Sequence, residues 1–290
     1  MYYNPEDLIP LTLNIGYAEH YADWNWKNVR SPFARLYYIT EGEAYVQLPD
    51  MKIHLKPGFL YFIPSFTLHT DICDKYFAHY YIHLYEETNS ESQIFENLNL
   101  PYEVKAQEFD LELIKKLCEM NPTMRLPQSN PNSYDNTPSL LENIRKNKMR
   151  NFSDRVECRG IIYILLSRFL KDASPKIQVN DDRIQKILLY IKKNITEQID
   201  LDKLAQMNCM SKDHFIRIFK NETGETPMQY ITQKKIERAE LLLSTESIPV
   251  KNIAYSLGFD DHSYFNRLFK KIVGQTPLEY REKNHISVRK

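Results

Sequence analysis

The chain has 290 residues and carries 38 basic and 38 acidic side chains, so its formal net charge at pH 7 is zero. This length suggests two domains, and the composition is that of an ordinary globular protein. Taken for the whole chain, zero net charge argues against a nucleic-acid binder. The cysteines are scattered without a Cys-x-x-Cys pair, which favours free thiols in a reducing cytosol over disulfides or a zinc site; they are Cys73, Cys118, Cys158 and Cys209.

No segment is predicted to enter a membrane or to direct secretion. The longest apolar run, Ile161–Leu166, is too short to cross a bilayer. The first five residues are polar and do not form a signal peptide. We therefore expect a cytoplasmic protein with no membrane partner.

Short strands are predicted between residues 33 and 84, where segments rich in Tyr, Phe, Ile and Val are separated by Gly and Pro turns. Even spacing of such strands is typical of a small antiparallel barrel or jelly roll. The predicted strands are Arg35–Thr40, Ala44–Leu48, Lys52–Leu55, Phe59–Ile63 and Phe77–Leu84.

The last of these strands places Phe77, His79, Tyr81 and His83 on one face, because side chains alternate along a strand. If that face points inward, it offers stacking surface and hydrogen-bonding groups that suit a sugar. Ordinary core packing explains the same alternation, and both interpretations stay open.

Helices are predicted in the joining region at Glu108–Met120 and Phe152–Lys171. Between them, Asn121–Ser139 contains four prolines and is predicted to be an exposed loop. The second helix has a wide apolar stripe, which covers its own barrel or, as the family resemblance given below implies, forms an antiparallel dimer seam. Ala173–Val179 is predicted to be an interdomain linker.

The C-terminal part contains a duplication, because Asp213–Tyr230 and Ser263–Tyr280 repeat at an offset of fifty residues. Eight of the eighteen aligned positions are identical and no gap is needed, which is too many identities for chance. A repeated unit of this kind indicates a tandem binding module. The first copy contributes Phe215, Arg217, Phe219, Lys220, Gly224, Thr226, Pro227 and Tyr230, matched by Phe265, Arg267, Phe269, Lys270, Gly274, Thr276, Pro277 and Tyr280.

Each copy has the pattern of a helix–turn–helix. The first helices are Leu201–Met207 and Val250–Leu257, and the second helices run from Ser211 to Glu222 and from Asp261 to Ile272. We expect Asn208 and Gly258 to supply the positive φ of each turn. The following segment, Met228–Ser244, is predicted to be a helix that connects the copies.

Each second helix has an apolar face and a polar face that suits the major groove of double-stranded DNA. A merely solvated face is the alternative, but matched Arg and Lys in both copies argue against it. Charge supports the DNA interpretation, because residues 181–290 hold 19 basic and 15 acidic side chains (+4), whereas residues 1–180 hold 19 and 23 (−4). The polar faces include Lys212, Lys220 and Lys270.

This arrangement resembles the DNA-binding domain of the AraC/XylS transcription regulators over about Asp181–Glu282. The closing pattern Phe-x-Lys-x₃-Gly-x-Thr-Pro-x-x-Tyr makes the resemblance to that family highly specific. By position, the resemblance implies base-edge contacts from both second helices. These residues are Asp213, Ile216 and Arg217 in the first copy and His262, Ser263, Asn266 and Arg267 in the second.

The series Gly42…Pro57-Gly58…Ile63-Pro64…His69 resembles the cupin-like sensor half of the same family. The resemblance implies a ligand pocket with an inward imidazole and aromatic ring at His79 and Tyr81. No His-x-His precedes His69, so a catalytic metal site lacks most of its ligands. The full set of candidate ligand-binding residues is Trp24, Arg35, Tyr37, His69, His79 and Tyr81.

The sequence as a whole is thus interpreted as an α+β multidomain regulator, not an enzyme, without metal or cofactor. The expected domains are a cupin-like barrel or jelly roll (1–105), a helical joining and dimerisation region (106–179), and an all-α double helix–turn–helix domain (180–290). The expected partners are double-stranded DNA, a small-molecule effector for which a carbohydrate is one candidate, RNA polymerase, and a second copy of the chain. The rival interpretations are a cupin enzyme with a DNA-binding tail and a ligand-independent regulator.

Overall fold

The structure is a computed structural model that describes residues 8–86, 94–176, 179–245 and 248–285. Its contacts divide the chain into a unit that ends at Ser174 and a unit that begins at Pro175. Each unit is described by itself below.

The N-terminal unit is built on antiparallel strands that form two principal sheets. The larger sheet has the strand order β1-β7-β2-β5-β9 and the smaller one has the order β4-β3-β6. The strands are β1 (Pro10–Tyr21), β2 (Ala34–Gly42), β3 (Ala44–Gln47), β4 (Lys52–Leu55), β5 (Phe59–Ile63), β6 (Thr70–Ile72), β7 (Tyr76–Glu86), β8 (Leu98–Asn99), β9 (Glu103–Lys105) and β10 (Ser174–Pro175).

All five predicted strands are present as β2, β3, β4, β5 and β7, each within a few residues of its predicted ends. Sequence analysis did not identify β1, although β1 is the longest strand and pairs with β7 along its length. It also missed the three-residue strand β6. The coarse expectation of a β-sheet domain followed by a helical domain is therefore confirmed.

The larger sheet is buried on both faces. On one face, Leu36 and Ile82 pack with Ile162, Leu165 and Phe169 of helix α5 (Phe152–Leu170). On the other face, Tyr37 and Ile39 pack against side chains of the smaller sheet. Because neighbouring residues of a strand point to opposite faces, Arg35, Tyr37 and Ile39 lie between the two sheets.

The apolar stripe of α5 belongs to this core. Ile161, Ile162, Leu165, Leu166 and Phe169 are all buried and contact the sheet of their own unit. Of the two roles predicted for the stripe, covering its own unit is the one that these side chains perform, since they pack on the larger sheet. Phe152 and Val156, near the start of the helix, are exposed.

The prediction of an exposed loop at Asn121–Ser139 was wrong. This segment contains a 3₁₀ turn (Pro122–Met124) and the short helix α3 (Pro131–Tyr134), and helix α4 (Thr137–Met149) begins within it. Met124 and Tyr134 are buried. The Asn side chains accept hydrogen bonds as N-caps and Pro residues follow them, so residues typical of loops here begin helices. The helices of this unit are α1 (Ile94–Asn97), α2 (Asp110–Glu119), α3 (Pro131–Tyr134), α4 (Thr137–Met149) and α5.

The described part of the C-terminal unit is helical from α6 onward. Its apolar side chains form two separate cores, one around Phe215 and Phe219 and the other around Phe265 and Phe269. None of the helices in the described ranges is both long and apolar enough to cross a membrane. The helices are α6 (Asp182–Lys193), α7 (Leu201–Gln206), α8 (Lys212–Thr223), α9 (Pro227–Thr245), α10 (Val250–Ser256), α11 (His262–Val273) and α12 (Pro277–His285).

Each helix–turn–helix contains one turn residue with a positive φ, and in one of the two it is not the expected residue. In the second corner Gly258 has a φ of 68°, as predicted. In the first corner Cys209, not Asn208, takes the positive φ of 51°. The Asn208 amide instead donates a hydrogen bond to the carbonyl of Arg183, so it is used to join α6 to the turn.

Candidate nucleic-acid interface and buried polar cluster

Helices α8 and α11 begin and end in the same way. The side chain of Ser211 accepts from the backbone N–H of His214, and the side chain of Asp261 accepts from that of Ser263. At the other end, Gly224 and Gly274 have φ values of 85° and 86°, which an L side chain rarely adopts. Equivalent caps give the two helices equivalent lengths and boundaries.

The buried faces of α8 and α11 are anchored by equivalent aromatic rings. The ring centroids of Phe215 and Phe219 lie 5.7 Å apart, and those of Phe265 and Phe269 lie 5.8 Å apart. Each second Phe meets a Tyr of the following helix edge to face, Phe219 with Tyr230 and Phe269 with Tyr280. Because the inner faces are fixed alike, the outer faces present matched positions.

The outer faces carry the residues expected to contact DNA. Arg217, Lys220, Arg267 and Lys270 are all exposed, as groups that meet phosphates or base edges must be. Three candidates are half-buried, namely Ile216, His262 and Asn266, and the other three, Lys212, Asp213 and Ser263, are exposed.

Some of these side chains are already oriented by neighbours. Lys212 forms a salt bridge with Asp202 of α7, with Nζ and Oδ1 2.8 Å apart. The Asn266 amide lies 3.1 Å from Nε2 of His262, while its oxygen is buried without a partner. Asp213 lies in the first turn of α8, where a carboxylate is favoured by the helix dipole, so it has a structural role independent of DNA.

The candidate ligand-binding residues lie between the two sheets of the N-terminal unit. Strand pairing sets Arg35 opposite His83, Tyr37 opposite Tyr81 and Ile39 opposite His79. The ring of Trp24 lies 5.9 Å from Tyr37 and 5.7 Å from His79 between centroids. The structure thus places five of the six candidates, Trp24, Arg35, Tyr37, His79 and Tyr81, on or against one face.

Arg35 is the largest fully buried side chain of this unit and is held by polar neighbours. Its guanidinium donates to Ser31 Oγ at 2.6 Å and lies 3.7 Å from a carboxylate oxygen of Asp135. Ser31 in turn donates to Asp135. Burial alone would lower the pKa of Arg35, but nearby Tyr and Asp side chains outweigh it and raise the pKa. Arg35 is therefore a permanent buried cation.

The sixth candidate, His69, lies beside Asp71, and one side-chain atom of each residue has no hydrogen-bond partner. Its Nδ1 lies 2.8 Å from the carbonyl of Thr67, so Nδ1 carries the proton and Nε2 is an acceptor. Nε2 is 3.6 Å from Asp71 Oδ1, and both atoms are buried without a partner. Burial, reinforced by Arg35, lowers the pKa of His69 to about 3.

Two carboxyl groups in this region are also perturbed. Burial raises the pKa of Asp71 to about 7 and that of Asp135 to about 6, although Arg35 opposes both shifts. Nδ1 of His79 and of His83 are further buried atoms without a partner. We name the group Arg35, His69, Asp71, His79, His83 and Asp135 the buried polar cluster.

Asp71, His83 and Asp135 were not among the residues predicted from the sequence to bind a ligand. His83 had a usable signal, because it shares the face of His79 and Tyr81. Asp71 follows His69 by two residues on a strand, which also predicts a shared face. Asp135 had no signal, since it reaches Arg35 from a segment about one hundred residues away. Across the described residues, no group of three or more His, Cys, Asp or Glu is arranged to hold a metal ion.

Comparison with known proteins identifies a helix–turn–helix region in the C-terminal unit. Residues 204–283 match a family model described as a helix-turn-helix domain. The chain is 32% identical over 110 residues to the HTH-type transcriptional activator Btr of Bacillus subtilis, covering 38% of this chain and 20% of that protein. It is also 32% identical over 86 residues to the arabinose operon regulatory protein of Escherichia coli, covering 29% and 30% respectively.

A solved structure covers the same region. The C-terminal domain of the two-component response regulator yesN from Fusobacterium nucleatum is 32% identical and covers 35% of this chain and 99% of that one, with a TM-score of 0.34. Residues 204–283 therefore form a helix–turn–helix region of the AraC/XylS type. The chain spans less than a third of the length of the two curated relatives named above.

Proposed function

We propose that this chain is an AraC/XylS-family transcription regulator that binds double-stranded DNA through α8 and α11. The observation that carries the proposal is the duplicated geometry of these helices. Equivalent caps and equivalent aromatic anchors turn Arg217 and Arg267, with Lys220 and Lys270, outward in both copies. An exposed Arg can bridge guanine O6 and N7, and an exposed Lys can neutralise a phosphate.

The connecting helix supports simultaneous binding by both copies. Helix α9 has 19 residues, which at the usual rise gives a rod of about 28 Å. Successive major-groove segments on one face of B-DNA are separated by roughly 34 Å. A rod of that length, together with the width of the flanking helices, suits two adjacent groove segments.

Selection from a pool of random duplexes tests this function. The full-length chain is expected to enrich a bipartite sequence with two preferred segments about 10 bp apart. A chain with Arg217→Ala and Arg267→Ala serves as the matched control and should enrich no sequence. Failure of the unaltered chain to enrich any sequence would refute the proposal.

We further propose that the N-terminal unit is a cupin-like domain that binds a small polar effector at the buried polar cluster. The unpaired buried atoms of His69, Asp71, His79 and His83 support this, because a native interior rarely leaves such atoms without hydrogen bonds. A water, which has two O–H donors, suits the two acceptors of His69 and Asp71, and a ligand hydroxyl that displaces it would donate to one of them. The flanking aromatic rings suit a carbohydrate.

Intrinsic fluorescence tests effector binding selectively. Both tryptophans of the chain, Trp24 and Trp26, lie in the N-terminal unit, and Trp24 borders the buried polar cluster. We expect at least one compound of a broad sugar and polyol panel to change the fluorescence and raise the melting temperature, and Asp71→Asn to abolish both effects. A panel without any hit would favour the ligand-independent regulator.

The remaining expectations complete the proposal. The domain boundaries at 1–105, 106–179 and 180–290, the cytoplasmic location, a homodimer and contact with RNA polymerase are proposed with it. A cupin enzyme is the rival function, and the family's relatives named above are regulators. Metal analysis of the purified protein separates the two, since stoichiometric iron, manganese or zinc would favour the enzyme.

A further inference from the structure

One buried ammonium group connects three segments of the C-terminal unit. Lys235 lies in α9, and only 5% of it is exposed. Its Nζ donates to the carbonyl of Glu197 at 2.7 Å and to that of Leu257 at 2.6 Å. Glu197 belongs to the link between α6 and α7, whereas Leu257 ends α10. The side chain therefore joins the link that leads into the first helix–turn–helix, the connecting helix and the second helix–turn–helix.

This lysine remains mostly charged at pH 7 despite its burial. Burial lowers the pKa of Lys235 to about 8, so most of the group remains protonated at pH 7. Leu257 O lies at the C-terminus of α10, where the helix dipole attracts a cation. The Gly258 carbonyl, 3.5 Å from Nζ, and the Phe259 ring, 5.3 Å away, complete the environment.

Two further contacts lie at the same junction. Gly258 packs so closely on the preceding link that a Cβ there would lie 2.6 Å from the carbonyl carbon of Glu197 and 2.9 Å from the backbone nitrogen of Gln198. The side-chain amide of Gln198 donates to Asp260 at 2.8 Å. The junction is thus made of backbone packing, a surface hydrogen bond and the buried ammonium.

Each helix–turn–helix has its own apolar core, so the contacts of the junction hold the two together. Tyr230 and Ile231 of α9 belong to the first core, whereas Ile236 and Ala239 belong to the second. Lys235 lies between these pairs along the helix. Since the described cores are separate clusters, the contacts of the junction restrict rotation of one helix–turn–helix against the other.

We propose that Lys235 is a positioning residue that fixes the spacing and orientation of α8 relative to α11. It touches no DNA in this scheme and acts through the carbonyls of Glu197 and Leu257. Its consequence for DNA rests on the proposed function, because a fixed spacing makes the chain selective for the separation of two half-sites. Two rigidly joined modules bind a correctly spaced site far more tightly than two loosely joined ones.

A distance measurement on the full chain tests the geometric part without DNA. Spin labels at Lys220→Cys and Lys270→Cys occupy matched, exposed positions of α8 and α11. The two native cysteines that are not buried, Cys118 and Cys209, are replaced so that they do not take up label. The unaltered junction should give a single narrow distance distribution, and Lys235→Met should give a broad one. Lys234→Met is the matched control, since it removes the neighbouring lysine and should leave the distribution narrow.

Folding is verified by far-UV circular dichroism. If Lys235→Met does not fold, Gln198→Ala is measured instead. It removes only the surface hydrogen bond to Asp260 and should broaden the distance distribution, though less than loss of the buried ammonium would. A distribution as narrow as that of the unaltered chain in every folded junction variant would overturn the inference.

The DNA part uses the duplex that the unaltered chain enriches from the random pool. Unlabelled Lys235→Met should lose roughly tenfold in affinity for this duplex and should bind a duplex with only one of the two segments as well as before. It should also lose most of the preference for the native spacing over a duplex with 2 bp inserted. Equal losses of affinity for the two-segment and the one-segment duplex would contradict a positioning role for Lys235. If the unaltered chain enriches no duplex, the proposed function fails, while the distance measurement still decides the role of Lys235.

Discussion

At the scale of single residues, the guanidinium groups of α8 and α11 carry the proposed DNA reading. Arg267 is exposed, and no salt bridge between described residues engages it. Replacing it by Ala should cost about 1–3 kcal/mol on the enriched duplex and relax the sequence preference. Fluorescence anisotropy measures the loss. Arg183→Ala, which removes an exposed arginine of α6, is the control and should bind nearly as the unaltered chain does.

The buried histidines make the stability of the N-terminal unit depend on pH. Burial holds the pKa of His79 well below its usual value, and the charge of His20 lowers it further. An unfolded chain therefore binds a proton at His79 below about pH 6.5 that the folded chain does not bind. Its contribution to stability is present above that pH and is lost as the pH falls.

We expect His79→Phe, which keeps a ring beside Trp24 and Phe77, to reduce this loss. Urea unfolding followed by tryptophan fluorescence at pH 5 and pH 7.5 measures it. The variant should lose less stability than the unaltered chain between the two pH values. An identical loss would mean that His79 is solvated or is protonated in the folded state.

The buried polar cluster also shows where sequence reasoning ends. His79 and Tyr81 were identifiable because alternation along one strand fixes a shared face. Asp135 was not, because its approach to Arg35 depends on how α3 and α4 fold over the sheet. The positive φ at Cys209, where Asn208 was expected, also depends on a distant contact. The side-chain amide of Asn208 donates a hydrogen bond to the backbone carbonyl of Arg183 in α6.

At the scale of elements, the left-handed glycines set the ends of the recognition helices. A Cβ at Gly224 or Gly274 would meet no atom within 4 Å, so substitution would strain only the backbone. Gly224→Ala and Gly274→Ala should each destabilise the C-terminal unit by about 1–2 kcal/mol. Replacement by Asn, which tolerates this conformation better, should destabilise less. Gly258→Ala should cost more than either, because it adds a clash with Glu197.

Urea unfolding followed by circular dichroism at 222 nm gives these differences. Equal costs for Ala at Gly258 and Gly274 would show that the close contact with Glu197 relaxes easily. Equal costs for Ala and Asn would show that backbone strain is not the cause.

Helices α2 and α5 are joined by an ion pair that fixes α5 over the sheet. Arg168 donates to Asp110, whose side chain is fully buried, at 3.0 Å. Removing only the cation leaves a buried carboxylate without its partner, so Arg168→Met should destabilise the N-terminal unit by about 3 kcal/mol. Adding Asp110→Asn should recover part of that loss. Unfolding monitored by tryptophan fluorescence tests both, and a double variant less stable than the single one would contradict the assignment.

Local patterns predicted most of these elements. The repeat predicted α8 and α11, because the spacing of aromatic residues along a helix is a local signal. Strand β1 and helix α4 were missed, since β1 is defined by its long pairing with β7 and α4 begins within a segment rich in Pro and Asn. Residues of that kind serve both loops and helix starts.

At the scale of the whole molecule, the two halves of the chain differ in net charge, although the chain as a whole has none. The excess of +4 over residues 181–290 is small. Binding should therefore depend on a few phosphate contacts, and the logarithm of the affinity should fall linearly with the logarithm of the salt concentration, with a slope of about −0.9 per contact. Lys270→Ala should reduce that slope by about one.

Anisotropy titrations between 50 and 200 mM salt measure the slope. An unchanged slope for Lys270→Ala would place this lysine away from the phosphates.

The central claim is that each of two matched helices reads its own segment of one duplex, and repeated selection with single variants tests it most directly. Random-pool selection with Arg217→Ala should erase preference in one segment of the enriched sequence. Selection with Arg267→Ala should erase preference in the other, about 10 bp away. Loss of the same segment in both variants, or uniform weakening at every position, would contradict the account.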